Sequence, residues 1–104
     1  MASDSIHIEV RKTSAFDRWL RKLGDHEARA RILARLRRLT LGNFGDARSV
    51  GGRVFELRID SGPGYRVYLM RRGEAVVVLL CAGDKQTQDA DIRRAQRMAT
   101  NLTE

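Results

Sequence analysis

The sequence is poor in cysteine, proline and aromatic residues, with one Cys, one Pro, three Phe, two Tyr and one Trp in 104 residues. A lone cysteine excludes an internal disulfide, and without Cys/His clustering no zinc site of recognisable spacing remains, so neither metal nor cofactor is expected. That cysteine usage fits a reducing, cytoplasmic setting. Long hydrophobic runs are also missing. The longest, residues 75–82, is far too short to cross a bilayer, and Met1-Ala2-Ser3-Asp4-Ser5 lacks the basic and apolar regions of a signal peptide, so no membrane association is expected. No linker, repeat or low-complexity tract interrupts the chain, and its length predicts one domain over 1–104. Lysine is scarce as well: three Lys (Lys12, Lys22, Lys85) stand against 17 Arg.

What is abundant is positive charge. Twenty cations against 13 carboxylates give a net charge of +7, which calls for a polyanionic or acidic partner. The arginine bias favours phosphate, because a guanidinium fork matches phosphate oxygens bidentately where an ammonium is a point charge.

Apolar periodicity outlines the elements. Ile6, Ile8 and Val10 alternate with His7, Glu9 and Arg11, predicting a strand with one buried face. A cap at Thr13-Ser14, the stripe Phe16, Trp19, Leu20 and Leu23, and Gly24 beyond it predict a short amphipathic helix. Asp25 caps a second helix with stripe Ala28, Ile32, Leu36 and Leu39, ending near Gly42. Its remaining surface carries Arg29, Arg31, Arg35, Arg37 and Arg38. The Gly/Asn/Asp/Ser-rich stretch 43–52 reads as loop. Three strands follow at 53–59, 65–71 and 75–82, joined by short Gly-bearing turns that make antiparallel hairpins. Thr87, Asp89 and Asp91 open a last helix with stripe Ile92, Ala95, Ala99 and Leu102. The expected architecture is therefore α+β, β-α-α-β-β-β-α, with a small, mainly antiparallel sheet packed against an N-terminal helical hairpin and a C-terminal helix.

Strand alternation then assigns faces. Phe55, Leu57 and Ile59 point to the core with Val67 and Leu69, which sends Glu56, Arg58, Arg66 and Tyr68 to the opposite face if the two strands are neighbours. The run 75–82 is apolar on both faces, with Val76, Val78 and Leu80 set against Val77, Leu79 and Cys81, so it should be covered on each side, the last helix bringing Asp84 and Lys85 to the rim. Two arginines, a lysine, a tyrosine and a carboxylate on one open face could cleave RNA without metal. A base would take the 2′-OH proton, fixed cations would stabilise the phosphorane, and an acid would protonate the leaving 5′ oxygen. The same residues could equally be a solvated cross-strand ion network. His7, His26, Trp19 and Cys81 read as exposed, incidental or core residues.

Taken together, the segments Gly45-Asp46-Ala47-Arg48-Ser49-Val50, Gly52-Arg53-Val54-Phe55-Glu56-Leu57-Arg58-Ile59, Gly62-Pro63-Gly64-Tyr65-Arg66-Val67-Tyr68, Leu79-Leu80-Cys81-Ala82-Gly83-Asp84-Lys85-Gln86-Thr87-Gln88 and Asp91-Ile92 resemble the RelE/ParE toxin superfamily. Within it, the likeness is specifically to the HigB-like branch of addiction module killer proteins. With the Phe16/Trp19/Leu20 helix, the resemblance spans nearly the whole chain.

It implies a RelE-like toxin domain of a type II toxin-antitoxin module, held inactive by a cognate antitoxin, usually a helix-turn-helix protein in this branch. RelE-like relatives cut mRNA, generally on the ribosome, which makes mRNA and ribosome the implied targets and translation the inhibited process. ParE-like relatives share the fold and poison DNA gyrase instead, and a basic antitoxin-binding adaptor without activity is a third reading. The positions matching the cleaving pattern are Arg58, Arg66 and Lys85. Where some relatives carry a catalytic Tyr or His after the last strand, this chain has Asp84-Lys85-Gln86, leaving Glu56, Tyr68 and Lys85 as candidate acid and base. Arg53 and the helical Arg31, Arg35 and Arg38 are the candidate RNA-binding residues, on the ground that a ribosome-acting nuclease must dock on phosphates.

Overall fold

The computed structural model describes residues 7–102. In chain order these form β1 (Glu9–Lys12), α1 (Ser14–Lys22), α2 (His26–Thr40), β2 (Ala47–Ser49), β3 (Phe55–Ile59), β4 (Tyr65–Arg72), β5 (Val76–Gly83), a 3-10 turn (Lys85–Thr87) and α3 (Gln88–Asn101). Both early helices start where their caps predict. The Thr13 hydroxyl accepts from Phe16 N at 3.1 Å, and Asp25 Oδ1 accepts from Ala28 N at 3.0 Å, each satisfying an N–H that has no partner inside its helix. Arg29 Nη1 ties α2 back to the Leu20 carbonyl of α1 at 2.6 Å.

The five strands make one sheet in the order β1-β5-β4-β3-β2. β1 pairs parallel with β5, and the other pairs are antiparallel. β1 and β2 are thus the two edges, and the helices α1 and α2 carry the chain from one to the other. Phe16 and Leu20 of α1 and Ile32, Leu36 and Leu39 of α2 pack on Leu57, Ile59, Val67, Leu69, Val77 and Leu79 to form one core. A second, smaller core lies on the opposite face, where Ala95 and Ala99 of α3 meet Val54, Tyr68, Met70, Val78, Leu80 and Cys81. Cover on both faces explains why β5 is apolar throughout.

The structure differs from expectation in several places. The stretch 43–52 is not all loop. Ala47–Ser49 forms the edge strand β2, pairing Arg48 with Glu56, and its brevity hid it from any period-two test. On β5, strict alternation fails at a register shift opposite Tyr68/Leu69, where Tyr68 pairs with Cys81 and Leu69 with Leu79. The extra residue, Leu80, puts Leu80 and Cys81 on the same α3-facing side and returns Ala82 to the larger core. Cys81 is buried there, and burial pushes its thiol up to about 11. The last helix also begins differently. Asp84, rather than Thr87, supplies the side-chain cap, accepting from Gln86 N at 2.9 Å and Thr87 N at 3.2 Å. Ile6, expected in the first strand, lies outside the described residues.

Candidate active site

β3 and β4 pair so that Glu56 faces Tyr68 and, two residues further along, Arg58 faces Arg66. Both rungs lie on the face that α3 covers, but their four side chains are not equally covered. Glu56 and Tyr68 are fully buried and Arg66 is buried as well, whereas the Arg58 side chain is exposed. The expectation of Glu56, Arg66 and Tyr68 on an open face is therefore corrected. Alternation told which side they occupy, and only the packing of α3 told that this side is closed there.

Glu56 is the centre of a buried polar network. Its Oε2 accepts from Gln88 Nε2 at 2.9 Å and from the Tyr68 hydroxyl at 3.0 Å, its Oε1 accepts from Arg48 Nε at 3.0 Å, and Arg66 Nε lies 3.6 Å from Oε2. Burial alone would raise this carboxyl, yet the hydrogen bonds from Gln88, Arg48 and Tyr68 hold it below the usual carboxylate range. Burial, followed by the Glu56 charge, pushes the Tyr68 phenol far above its ordinary value. Both groups are thus fastened to each other and turned away from solvent.

At the open end, Arg58, Arg66 and Lys85 line a single cleft of about 290 Å³ with Asp46, Ile59, Asp60, Gly64 and Tyr65. Arg66 is aimed by one acceptor, the Gly64 carbonyl 2.9 Å from Nη1, and by an ion pair with the Glu56 carboxylate at 3.6 Å, while its buried Nε makes no hydrogen bond. Gly64 has φ +83°, and a Cβ there would stand 3.2 Å from Arg66 Nη1 and 3.8 Å from Lys85 Cβ. The turn thus needs glycine for its backbone, and the missing Cβ leaves room for the Arg66 guanidinium. Lys85 is exposed at the start of the 3-10 turn that follows β5. Arg58 is held by Asp46, its Nε 3.3 Å from Oδ2 and its backbone N donating to the Asp46 carbonyl at 3.0 Å. Two arginines directly opposed on a sheet repel. Asp46 and Glu56 each take one of them and relieve that repulsion.

A second cleft, of about 240 Å³, is lined by Arg31, Ala34, Arg35 and Arg38 of α2 and shares Ile59 and Asp60 with the first. Together the two clefts set six cations against two carboxylates, Asp46 and Asp60. The arginines of α2 are not equivalent. Arg35 is half-buried and donates to the backbone carbonyls of Phe44 at 3.1 Å, Asp46 at 3.3 Å and Arg58, so it fastens α2 to the ends of the strands. Arg31 pairs with Glu27 one turn away at 3.3 Å, and Arg38 is exposed. Arg53 is exposed too, in the turn ahead of β3 and at the opposite end of that strand from Arg58. The structure therefore brings Arg58, Arg66, Lys85, Arg31, Arg35 and Arg38 together and leaves Arg53 apart.

Sequence reasoning missed Asp46, Asp60 and Gln88. For Asp60 the signal was present: the alternation that put Glu56 and Arg58 on one face reaches Asp60 two residues later. Among the described residues no cluster of three or more His, Cys, Asp or Glu is placed to hold a metal ion, and no helix is long and apolar enough to cross a membrane.

Comparison with known proteins agrees with this architecture. The family model described as Phage derived protein Gp49-like matches residues 18–102. An uncharacterized protein of Haemophilus influenzae is 53% identical over 95 residues, covering 91% of this chain and 96% of its own. Among solved structures, the Escherichia coli toxin RelE, as a double arginine-to-alanine mutant in the free state, superposes with a TM-score of 0.70 at 14% identity, covering 95% of this chain and all of that one. A chain of the toxin-antitoxin complex RelBE2 of Mycobacterium tuberculosis aligns at a TM-score of 0.48 and 22% identity, over 81% of this chain and 98% of that one. The sheet with helices on both faces is thus the RelE fold. The chain belongs to the Gp49-like family.

Proposed function

We propose that this protein is the toxin of a toxin-antitoxin module of the HigB-like kind and acts as a metal-independent mRNA endoribonuclease on the ribosome, arresting translation in the cytoplasm. The observation that carries the reading is the convergence of Arg58, Arg66 and Lys85, distant in sequence, on one solvent-open cleft. Three cations lining one cleft suit the charge that develops on a pentacoordinate phosphorane, and a positioned donor is worth about 10²–10³-fold in rate. The neighbouring cleft, with Arg31 and Arg38 on its walls, supplies further phosphate contacts for message or ribosomal RNA, so that Arg58 and Arg66 bind the scissile phosphate while α2 holds its surroundings. The net charge of +7 suits an antitoxin with an acidic binding segment. A helix-turn-helix antitoxin is the partner the family pattern implies.

The deciding experiment induces the protein alone and maps mRNA ends, with a gyrase supercoiling assay in parallel. Growth arrest with new mRNA ends, relieved by the product of the adjacent gene, is the expected result. Intact RNA with lost supercoiling would transfer the protein to the gyrase-poisoning mode. Arrest-free growth at verified expression would leave only an antitoxin-binding adaptor.

A further inference from the structure

The cleft holds cations in plenty, but neither Glu56 nor Tyr68 can serve as its base, since both are buried and locked together. Among the described residues, four carboxylates stand near its rim, and three are already engaged. Asp46 is paired with Arg58 at 3.3 Å, Asp84 caps the 3-10 turn, and Asp25 caps α2 and accepts from the Tyr65 hydroxyl at 3.5 Å. Asp60 differs. It is exposed, it lines both clefts, and its carboxylate enters no ion pair or hydrogen bond with any other described residue.

Position and chemistry together limit what Asp60 can meet. An RNA strand running from the Arg58/Arg66/Lys85 cleft to the Arg31/Arg38 cleft must pass the wall that Asp60 forms. A carboxylate is an acceptor only, and it repels phosphate. The group it can receive there is a donor carried by the nucleoside, and the sugar next to a phosphate held by Arg58 and Arg66 offers its 2′-OH.

Resting on the ribonuclease reading above, we propose that Asp60 is the general base of the cleavage. Its carboxylate takes the 2′-OH proton, the 2′ oxygen forms a bond to phosphorus, and the P–O5′ bond breaks as the 5′ oxygen takes a proton from the Lys85 ammonium. The products are a 2′,3′-cyclic phosphate and a 5′-OH end. Proton exchange with water returns Asp60 to the carboxylate and Lys85 to the ammonium, so no co-reactant is consumed. Arg58, Arg66 and the helical arginines stay charged throughout.

The test uses purified full-length protein on translating ribosomes carrying a defined message, with filter binding of the same message as a separate readout. Asp60→Asn should cut at least 10²-fold more slowly, about the lower end of what a positioned base contributes. Message binding should be unchanged or tighter, since a negative charge leaves the cleft. Asp60→Glu, which keeps the carboxylate, should restore cleavage to within about tenfold of wild type, well inside that base contribution, and wild-type ends should carry the cyclic phosphate. Asp60→Asn cleaving within a few-fold of wild type would overturn the role of Asp60 and leave the ribonuclease reading standing. A loss of binding that matches the loss of cleavage would also overturn it, by showing a structural role. Wild-type protein inert towards the message, on or off the ribosome, would overturn both.

Discussion

Two adjacent rungs of the same strand pair were put to opposite uses. Glu56 and Tyr68 face each other across β3 and β4, and so do Arg58 and Arg66 two residues away on the same side of the sheet. Over the first rung, α3 lies closed with Gln88 donating to Glu56, and the Tyr68 hydroxyl and both Glu56 oxygens have partners. In the second rung Arg66 is still buried while Arg58 is exposed, and both line a cleft with Lys85 and Asp60. Burial therefore separates the residue that positions from the residue that can react. Glu56 reaches the site only through the Arg66 guanidinium, which it holds from behind at 3.6 Å.

Emptying the buried rung should break this contrast most visibly. Glu56→Ala leaves the Tyr68 hydroxyl, Gln88 amide and Arg48 without their shared acceptor and Arg66 without its ion-pair partner, and removing one partner from a buried charged network costs about 3–5 kcal/mol. Urea denaturation should register most of that loss, and a change under about 1 kcal/mol would show that the network is loosely held.

On the open rung the balance reverses. Arg58→Ala and Lys85→Ala should leave stability within about ±0.5 kcal/mol while reducing message cleavage by about 10²-fold. Arg66→Ala, removed from a buried site, should lose comparable activity together with about 1–3 kcal/mol of stability. Full cleavage by Arg58→Ala would remove the cleft from the mechanism.

Acid sharpens the contrast further. The folded state holds Glu56 below its ordinary value of 4.5, so its contribution is complete above that pH and disappears as pH falls below it through the folded value. As pH falls below 4.5 and through the folded value, the wild-type urea midpoint should therefore approach that of Glu56→Gln, which has no carboxyl to titrate. Parallel curves would mean that the other carboxylates carry the acid response.

The smallest effect concerns α2. Replacing Arg31 and Arg38 by Ala should leave stability nearly unchanged and flatten the salt dependence of RNA binding by roughly 0.7–0.9 for each phosphate no longer neutralised. Arg35→Ala is a different experiment because it cuts α2 from the carbonyls of Phe44, Asp46 and Arg58, so its effect should appear in denaturation as well as in binding.

Periodicity carried most of the architecture. The caps Thr13 and Asp25, the helical stripes, and the alternation of β3 and β4 were all readable, because each is a local rule acting within a few residues. The pairing of Arg58 with Arg66 on one face followed from the same rule. Failures came where local rules stop. The short segment Ala47–Ser49 becomes a strand only because β3 offers an edge, and the bulge at Leu80 shifts Cys81 to the other face without any mark in an unbroken apolar run.

By itself, then, the chain determined a basic α+β protein in which Arg58 and Arg66 share a face once their strands are neighbours, since charge and alternation belong to the sequence. Tertiary structure alone decided that Glu56, Tyr68 and Arg66 on that face are covered and Arg58 is open, and that Asp60 stands between two cationic clefts, unpaired among the described residues. It also turned Arg35 inward as a clamp. The reason is physical: the use of a polar side chain depends on what covers it and what else reaches it, and those neighbours come from helices and turns far away in sequence.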